Sequence, residues 1–241
     1  GKAVFGVCST FLQRAYDQLS QDLCINDSPA TILVLRGSLT TMTDVTHLCH
    51  FDIPLLCNIP NLVYLAPTNR EEYLAMLDWS LSYREHPVAI RVPVGVSLPA
   101  TRPVPTDYSA LNTYEVVERG KDVAILALGN FFSLGERVCR LLEAHGIRAT
   151  LINPRYISGV DCDLLDSLAT DHRLVVTLED GALNGGFGEK IARHFGATGV
   201  KTLCYGAKKQ FADRYAPQEF LAANRLVDTM IVEDIMKHSQ G

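Results

Sequence analysis

The chain has 241 residues, 47% of them hydrophobic and 20% charged, ordinary values for a globular protein with real cores. Its 22 basic and 27 acidic residues leave a net charge of -5, which argues against a nucleic-acid or membrane-surface partner. No apolar run approaches the roughly 20 residues that span a bilayer.

The seven cysteines include no C-x-x-C pair, so neither a disulfide framework nor a zinc site is expected. Gly1 to Val7 lacks the apolar region and cleavage site of a signal peptide, and a cytoplasmic location is expected.

The chain opens on an apolar strand, Ala3–Val7, with nothing before it. Ser9–Leu23 follows, with a Thr10/Gln13 capping-box spacing and Leu12, Tyr16, Leu19 and Leu23 on one helical stripe. Strands are predicted at 31–35, 62–65 and 88–92 from β-branched runs. Between the last two, Thr68-Asn69-Arg70-Glu71 has a capping-box spacing and opens a helix with Tyr73, Leu74, Leu77 and Leu81 on its apolar side.

Pro93, Pro99, Pro103 and Pro105 then break the pattern, and an extended linker is expected. Beyond it, strands are predicted at 123–128, 149–152, 174–178 and 200–204, with helices at 134–145, 162–169, 188–195 and 218–224. Gly146 stands where a left-handed residue should stop the first of these helices.

Alternating strands and helices predict an α/β fold of two modules with mostly parallel sheets. The modules are placed at 1–98 and 122–241, with 99–121 as linker. A parallel sheet that begins on an uncovered strand looks incomplete. Another polypeptide or an upstream segment is expected to finish it.

Phe11 and Arg14 stand three residues apart, off the core stripe and near a helix N-terminus. A ring beside a guanidinium there suits a flat, partly anionic heterocycle. On spacing alone, an exposed arginine over a partly buried ring has the better claim. A dinucleotide site at Glu179–Gly188 is disfavoured because the G-x-G-x-x-G spacing is absent. A structural turn near a domain or subunit boundary fits it better. His47, Cys49 and His50 lack the second cluster that a closed zinc set needs. Lys208–Arg214 reads as a solvated loop.

The ten residues Ser9 to Gln18, STFLQRAYDQ, resemble a signature segment of 1-deoxy-D-xylulose-5-phosphate synthase. That family belongs to the transketolase group of thiamine-diphosphate enzymes. Thr46-His47, Phe51-Asp52, Ile59-Pro60-Asn61, Ala66-Pro67 and Ala89-Ile90-Arg91-Val92-Pro93 follow in the family's order, as do Leu151–Tyr156 and Glu179 with Gly185–Gly188. The likeness covers nearly the whole chain and only the family's C-terminal part. It implies a truncated pyrimidine-binding domain followed by a transketolase C-terminal domain.

By that resemblance, Phe11 and Arg14 line the cofactor's aminopyrimidine pocket. His47 stands over the reacting centre as a proton carrier, and Arg36 holds a substrate phosphate. The implied reaction decarboxylates pyruvate and passes its two-carbon unit to glyceraldehyde 3-phosphate, with thiamine diphosphate and magnesium as cofactors. No magnesium ligand is expected in this chain. The activating glutamate and the diphosphate-binding part would lie in an N-terminal domain or subunit, so the chain is expected to be silent alone and to assemble as a homo-oligomer or with that partner.

Some family positions differ. Val94 replaces a second phosphate arginine, Cys8 replaces a tyrosine, and the D-G-P-T-H-Q-G loop reads Thr43-Asp44-Val45-Thr46-His47-Leu48-Cys49. A non-catalytic binding or assembly module, or a transketolase-like enzyme with another acceptor, is the alternative.

Overall fold

The computed structural model describes residues 1–94 and 99–239. The first sheet is wholly parallel and contains β1 (Ala3–Cys8), β2 (Ala30–Leu35), β3 (Val63–Leu65) and β4 (Val88–Arg91), in the order β1-β2-β4-β3. The inner strands are runs of β-branched and aliphatic residues, as burial on both faces demands. Val88, Ala89 and Ile90 are fully buried, whereas Ala3 to Gly6 on the edge strand are exposed.

The second sheet has the order β5-β7-β6-β8-β9, with β5 antiparallel to β7 and the rest parallel. Its strands are β5 (Glu115–Glu118), β6 (Asp122–Ala127), β7 (Thr150–Asn153), β8 (His172–Ala182) and β9 (Lys201–Ala207). Alternation along β6 sorts the core. Val123 and Ile125 join the side chains of α3 (Phe132–Ala144) and α7 (Asp228–Ser239). Ala124 and Leu126 join a second apolar cluster that continues through Tyr156 into Tyr64 and Leu65 of β3. One core therefore crosses from module to module.

The second module also covers an edge of the first sheet. Tyr156 bridges Leu65 in antiparallel sense, Ala66 N donates to Arg155 O at 2.7 Å, and Ile157 N donates to Tyr64 O at 2.7 Å. The β3 edge is thus occupied, which leaves β1 as the open edge among the described residues.

Several expectations need correcting. The 99–121 stretch is not all linker, because β5 lies inside it and pairs with β7. The boundary placed at residue 98 falls outside the described residues. The helix α2 (Arg70–Ser82) is capped one residue later than the spacing suggested. Asn69 Oδ1 accepts from Glu72 N at 2.8 Å, and Glu72 Oε2 accepts from Thr68 N at 2.7 Å. Its buried face carries Glu72, Met76, Trp79 and Ser80, while Leu74 and Leu81 are exposed.

The Thr10/Gln13 box does not form either. Ser9–Ala15 is a 3-10 turn without a side-chain cap, followed by a π-helical turn at Gln18–Cys24. Leu12 and Leu19 still face the core. Two helices were not anticipated: α1 (Asp52–Leu56), too short to show a period, and α7. The others, α4 (Cys162–Leu168), α5 (Phe187–Phe195) and α6 (Pro217–Ala223), lie close to their expected positions, and Gly146 ends α3 at φ +79°.

A buried ion pair fixes how the modules meet. Arg91, the last residue of β4, is 3% exposed. Its Nε donates to Asp52 Oδ2 at 2.8 Å and its terminal nitrogen donates to Asp180 O at 2.7 Å. Tyr64 donates its hydroxyl to the same Asp52 carboxylate. Removing one partner of such a pair strands the other charges, at about 3–5 kcal/mol. Arg91→Ala is expected to lose stability on that scale in urea unfolding, and Arg91→Lys to lose less. An Arg91→Ala protein within about 1 kcal/mol of the parent would contradict this.

Candidate functional site

The residues singled out in the sequence gather at the carboxyl ends of β1 and β2, where parallel α/β sheets place their ligand sites. β1 leads directly into the 3-10 turn that carries Phe11 and Arg14. In a 3-10 turn, positions i and i+3 eclipse, so both side chains project on one face. Both are exposed, Phe11 by 41%.

The ring of Phe11 meets His47 rather than Arg14. The two rings stand edge to face, with centroids 5.7 Å apart and planes at 89°. Arg14 joins none of the ion pairs found among the described residues.

Arg36 follows β2 directly and is exposed, with a left-handed backbone at φ +60°. Thr41 donates its hydroxyl to the Arg36 carbonyl at 2.7 Å. The next residue must be glycine, since a Cβ on Gly37 would lie 2.7 Å from Arg91 Nε. Leu39 N donates to Asp180 Oδ1 at 2.9 Å, and Asn130 donates to Asp180 Oδ2 at 2.9 Å. The Arg36 loop is therefore built on the buried Arg91 cluster. Val94 sits nearby through its backbone, which donates to Asn130 Oδ1 at 3.2 Å.

The loop that carries His47 is tied to the second module. Arg214 N donates to Thr43 O at 2.7 Å, and Val45 N donates to Asp213 Oδ1 at 3.1 Å. The exposed 208–214 loop is solvated, as expected, yet it braces the His47 loop. Close by, Phe51 and Phe211 wall an apolar cavity of about 680 Å³ with Ser9, Gln13 and Tyr16. Phe11, Arg14 and His47 do not line it.

Two buried titratable groups flank this junction. His50 is fully buried, its ring nitrogens have no partner, and Phe51 packs 4.4 Å away. Burial pushes its pKa down to about 4, against the pull of Asp52. Glu179, on β8, accepts from Phe187 N and Gly188 N, each at 2.8 Å. Burial still raises its pKa to about 7 despite those two donors. The Glu179–Gly188 segment is a strand-to-helix turn at the module boundary, and Ala182 N donates across it to His50 O at 2.8 Å. Burial likewise raises Asp180, with Arg91 opposing.

Among the described residues no group of three or more His, Cys, Asp or Glu is placed to hold a metal ion. No helix among them is long and apolar enough to cross a membrane. Sequence reasoning missed Asp52, Asn130 and Asp180, and gave Arg91 no role. Asp44 and Thr46 were noted as loop residues only.

Comparison with known proteins identifies the fold. Residues 2–96 match the family model for the transketolase pyrimidine-binding domain, and residues 112–223 match that for the transketolase C-terminal domain. The chain belongs to the transketolase family. It is 34% identical to the 1-deoxy-D-xylulose-5-phosphate synthase of Gloeothece citriformis over 98% of its length, and 40% identical to that of Alkaliphilus oremlandii over 79%. It spans 38% and 30% of those two proteins.

Among solved structures, a split-gene transketolase described as an inactive β4 tetramer matches with a TM-score of 0.81 and 23% identity, covering 97% of this chain and 75% of that one. A transketolase from Pichia stipitis matches at 0.79 and 16% identity, covering 99% and 34%. The likeness to these two concerns the fold.

The buried pair predicts opposite pH effects. A histidine depressed from 6.5 to about 4 costs stability as pH falls through that window, by about 3 kcal/mol at pH 4. A glutamate raised to about 7 costs stability as pH rises from its unfolded value near 4.5 towards 7. In urea unfolding across pH 4–8, His50→Leu is expected to flatten the acid limb and Glu179→Gln the opposite one. Unchanged pH profiles in both variants would contradict these assignments.

Proposed function

We propose that the chain is the C-terminal portion of a 1-deoxy-D-xylulose-5-phosphate synthase-like, thiamine-diphosphate-dependent enzyme. In this reading it works with an N-terminal domain or subunit to condense pyruvate with glyceraldehyde 3-phosphate. The sequence likeness to the synthases supports the family activity. The observation that carries the site is the edge-to-face contact of Phe11 with His47 at the carboxyl end of the first sheet.

The residues present fit the aminopyrimidine end of the cofactor, because Phe11 offers an open ring and Arg14 a cation on the same face. When bound, thiamine diphosphate supplies the carbanion chemistry for decarboxylating a 2-oxo acid and transferring two carbons to an aldehyde. Phe11 and Arg14 hold and orient the heterocycle. His47 takes and returns protons at the substrate oxygens, and Arg36 binds the acceptor's phosphate through its planar fork. Magnesium and the diphosphate are held by the partner polypeptide.

Assembly follows from the open β1 edge. Val4 and Phe5 are 49% and 53% exposed there, and an unpaired apolar edge strand favours association. A split-gene relative described as an inactive tetramer is consistent with a half-enzyme that self-associates. The second reading, a different acceptor or a module without catalysis, is favoured by Val94, which removes one phosphate arginine.

The isolated chain is expected to show no pyruvate decarboxylation with thiamine diphosphate and magnesium, and to gain it with its N-terminal partner. In that complex, Arg36→Ala should raise KM for glyceraldehyde 3-phosphate about ten- to a hundredfold, the worth of one charged hydrogen bond. Val94→Arg should lower the same KM. Turnover by the isolated chain would overturn the half-enzyme reading, and acceptor kinetics indifferent to both variants would overturn the phosphate assignment.

A further inference from the structure

The histidine loop contains a chain of hydrogen bonds that decides where the imidazole carries its proton. Thr46 Oγ1 lies 2.5 Å from Asp44 Oδ1 and 2.7 Å from His47 Nδ1. A hydroxyl has one proton to give. An ionised carboxylate only accepts, so that proton belongs to the bond with Asp44. Thr46 Oγ1 is then an acceptor towards the ring, and Nδ1 must be the protonated nitrogen. The hydrogen bonds from Thr46 hold the Asp44 carboxyl below its usual range, which keeps it an anion.

The backbone locks the three groups together. Asp44 Oδ1 accepts from Thr46 N at 2.9 Å, and Asp44 O accepts from His47 N at 2.9 Å. These bonds close a short 3-10 turn with Asp44 as its N-cap. Asp44 Oδ1 lies 3.9 Å from Nδ1 itself, too far for a direct hydrogen bond, so the hydroxyl is the link. Phe11 sets the ring from the side by its edge-to-face contact.

We propose that Asp44 and Thr46 are positioning residues that fix His47 as its Nδ1–H tautomer and leave Nε2 as the unprotonated base. The proposal deepens the reading of His47 as proton carrier and rests on it for its catalytic meaning. Nε2 accepts a proton from a substrate hydroxyl, the ring becomes an imidazolium, and Nδ1–H keeps its bond to Thr46. Returning the proton from Nε2 to a substrate oxygen restores the starting state. Asp44 keeps its bond from the Thr46 hydroxyl throughout and takes no proton from the ring.

The relay is tested by ring-nitrogen NMR of the intact 15N-labelled chain near pH 8, with the His47 signals identified by their loss in His47→Gln. The expected spectrum has a protonated-type Nδ1 and a bare-type Nε2. Thr46→Val should exchange the two shifts towards the common Nε2–H form, whereas Thr46→Ser should keep the original pattern. Both substitutions lie on an exposed turn, and overall spectral dispersion reports that the chain stays folded.

An Nε2–H form in the parent chain, or a pattern indifferent to Thr46→Val, would overturn the relay. The functional reading fails separately. If the relay is seen but His47→Gln leaves turnover of the reconstituted enzyme unchanged, the tautomer stands and the catalytic role of His47 does not.

Discussion

Arg91 is a charge buried to 3% exposure, and the groups around it are arranged to satisfy it. It emerges from β4 between two carboxylates of different modules, Asp52 and Asp180, with the Asp180 carbonyl as a further acceptor. Burying such a group is expensive unless each donor is met. Gly37 must lack a side chain because the guanidinium passes there. Asp180 in turn holds Leu39 and Asn130. The Arg36 loop, the end of β4 and the Asp180 end of β8 are arranged around one desolvated cation.

This arrangement gives the second module a role in the proposed site, whose residues are mostly on the first. The carboxyl ends of β1 and β2 supply Phe11 and Arg14 from a 3-10 turn and Arg36 and His47 from the connection after β2. Loops need external support to hold a geometry. Asp213 and Arg214 brace the histidine loop, and Asp180 and Asn130 brace the arginine loop. The second module is thus a scaffold for the first, not an appendage behind a proline-rich stretch.

Much of the fold was legible because buried parallel strands are runs of β-branched and aliphatic residues. The runs around Ile32 and Val175 fell within an observed strand, and those around Val88 and Ile125 ran one residue past its end. The segment Ser9–Gln18 was legible by resemblance, and its core stripe by period. Other features depend on distant partners. α2 turns Glu72 inward because Asn153 donates to it from 81 residues away at 3.0 Å, so its leucines at 74 and 81 are left outside. β5 follows the proline-rich stretch and was hidden because its partner, β7, lies about 35 residues downstream. The roles of Asp52 and Asp180 appear only once the two sheets are packed. Asp44 and Thr46 were in plain view, and only the distances between them give the histidine a direction.

The shared core and the Arg91 cluster make the two modules one cooperative unit. The single tryptophan, Trp79, lies on α2, stacks on Tyr83 with centroids 4.6 Å apart and donates its indole N–H to Ser109 at 3.4 Å, so its fluorescence reports the first module and the 108–109 segment packed on it. Far-UV circular dichroism reports both. Coincident transitions are the mark of all-or-none unfolding. The most direct measurement is therefore urea unfolding followed by both signals in the same samples. Superimposable curves with one midpoint are expected of a single cooperative unit; a Trp79 transition separated from a second dichroism step would show two independent modules.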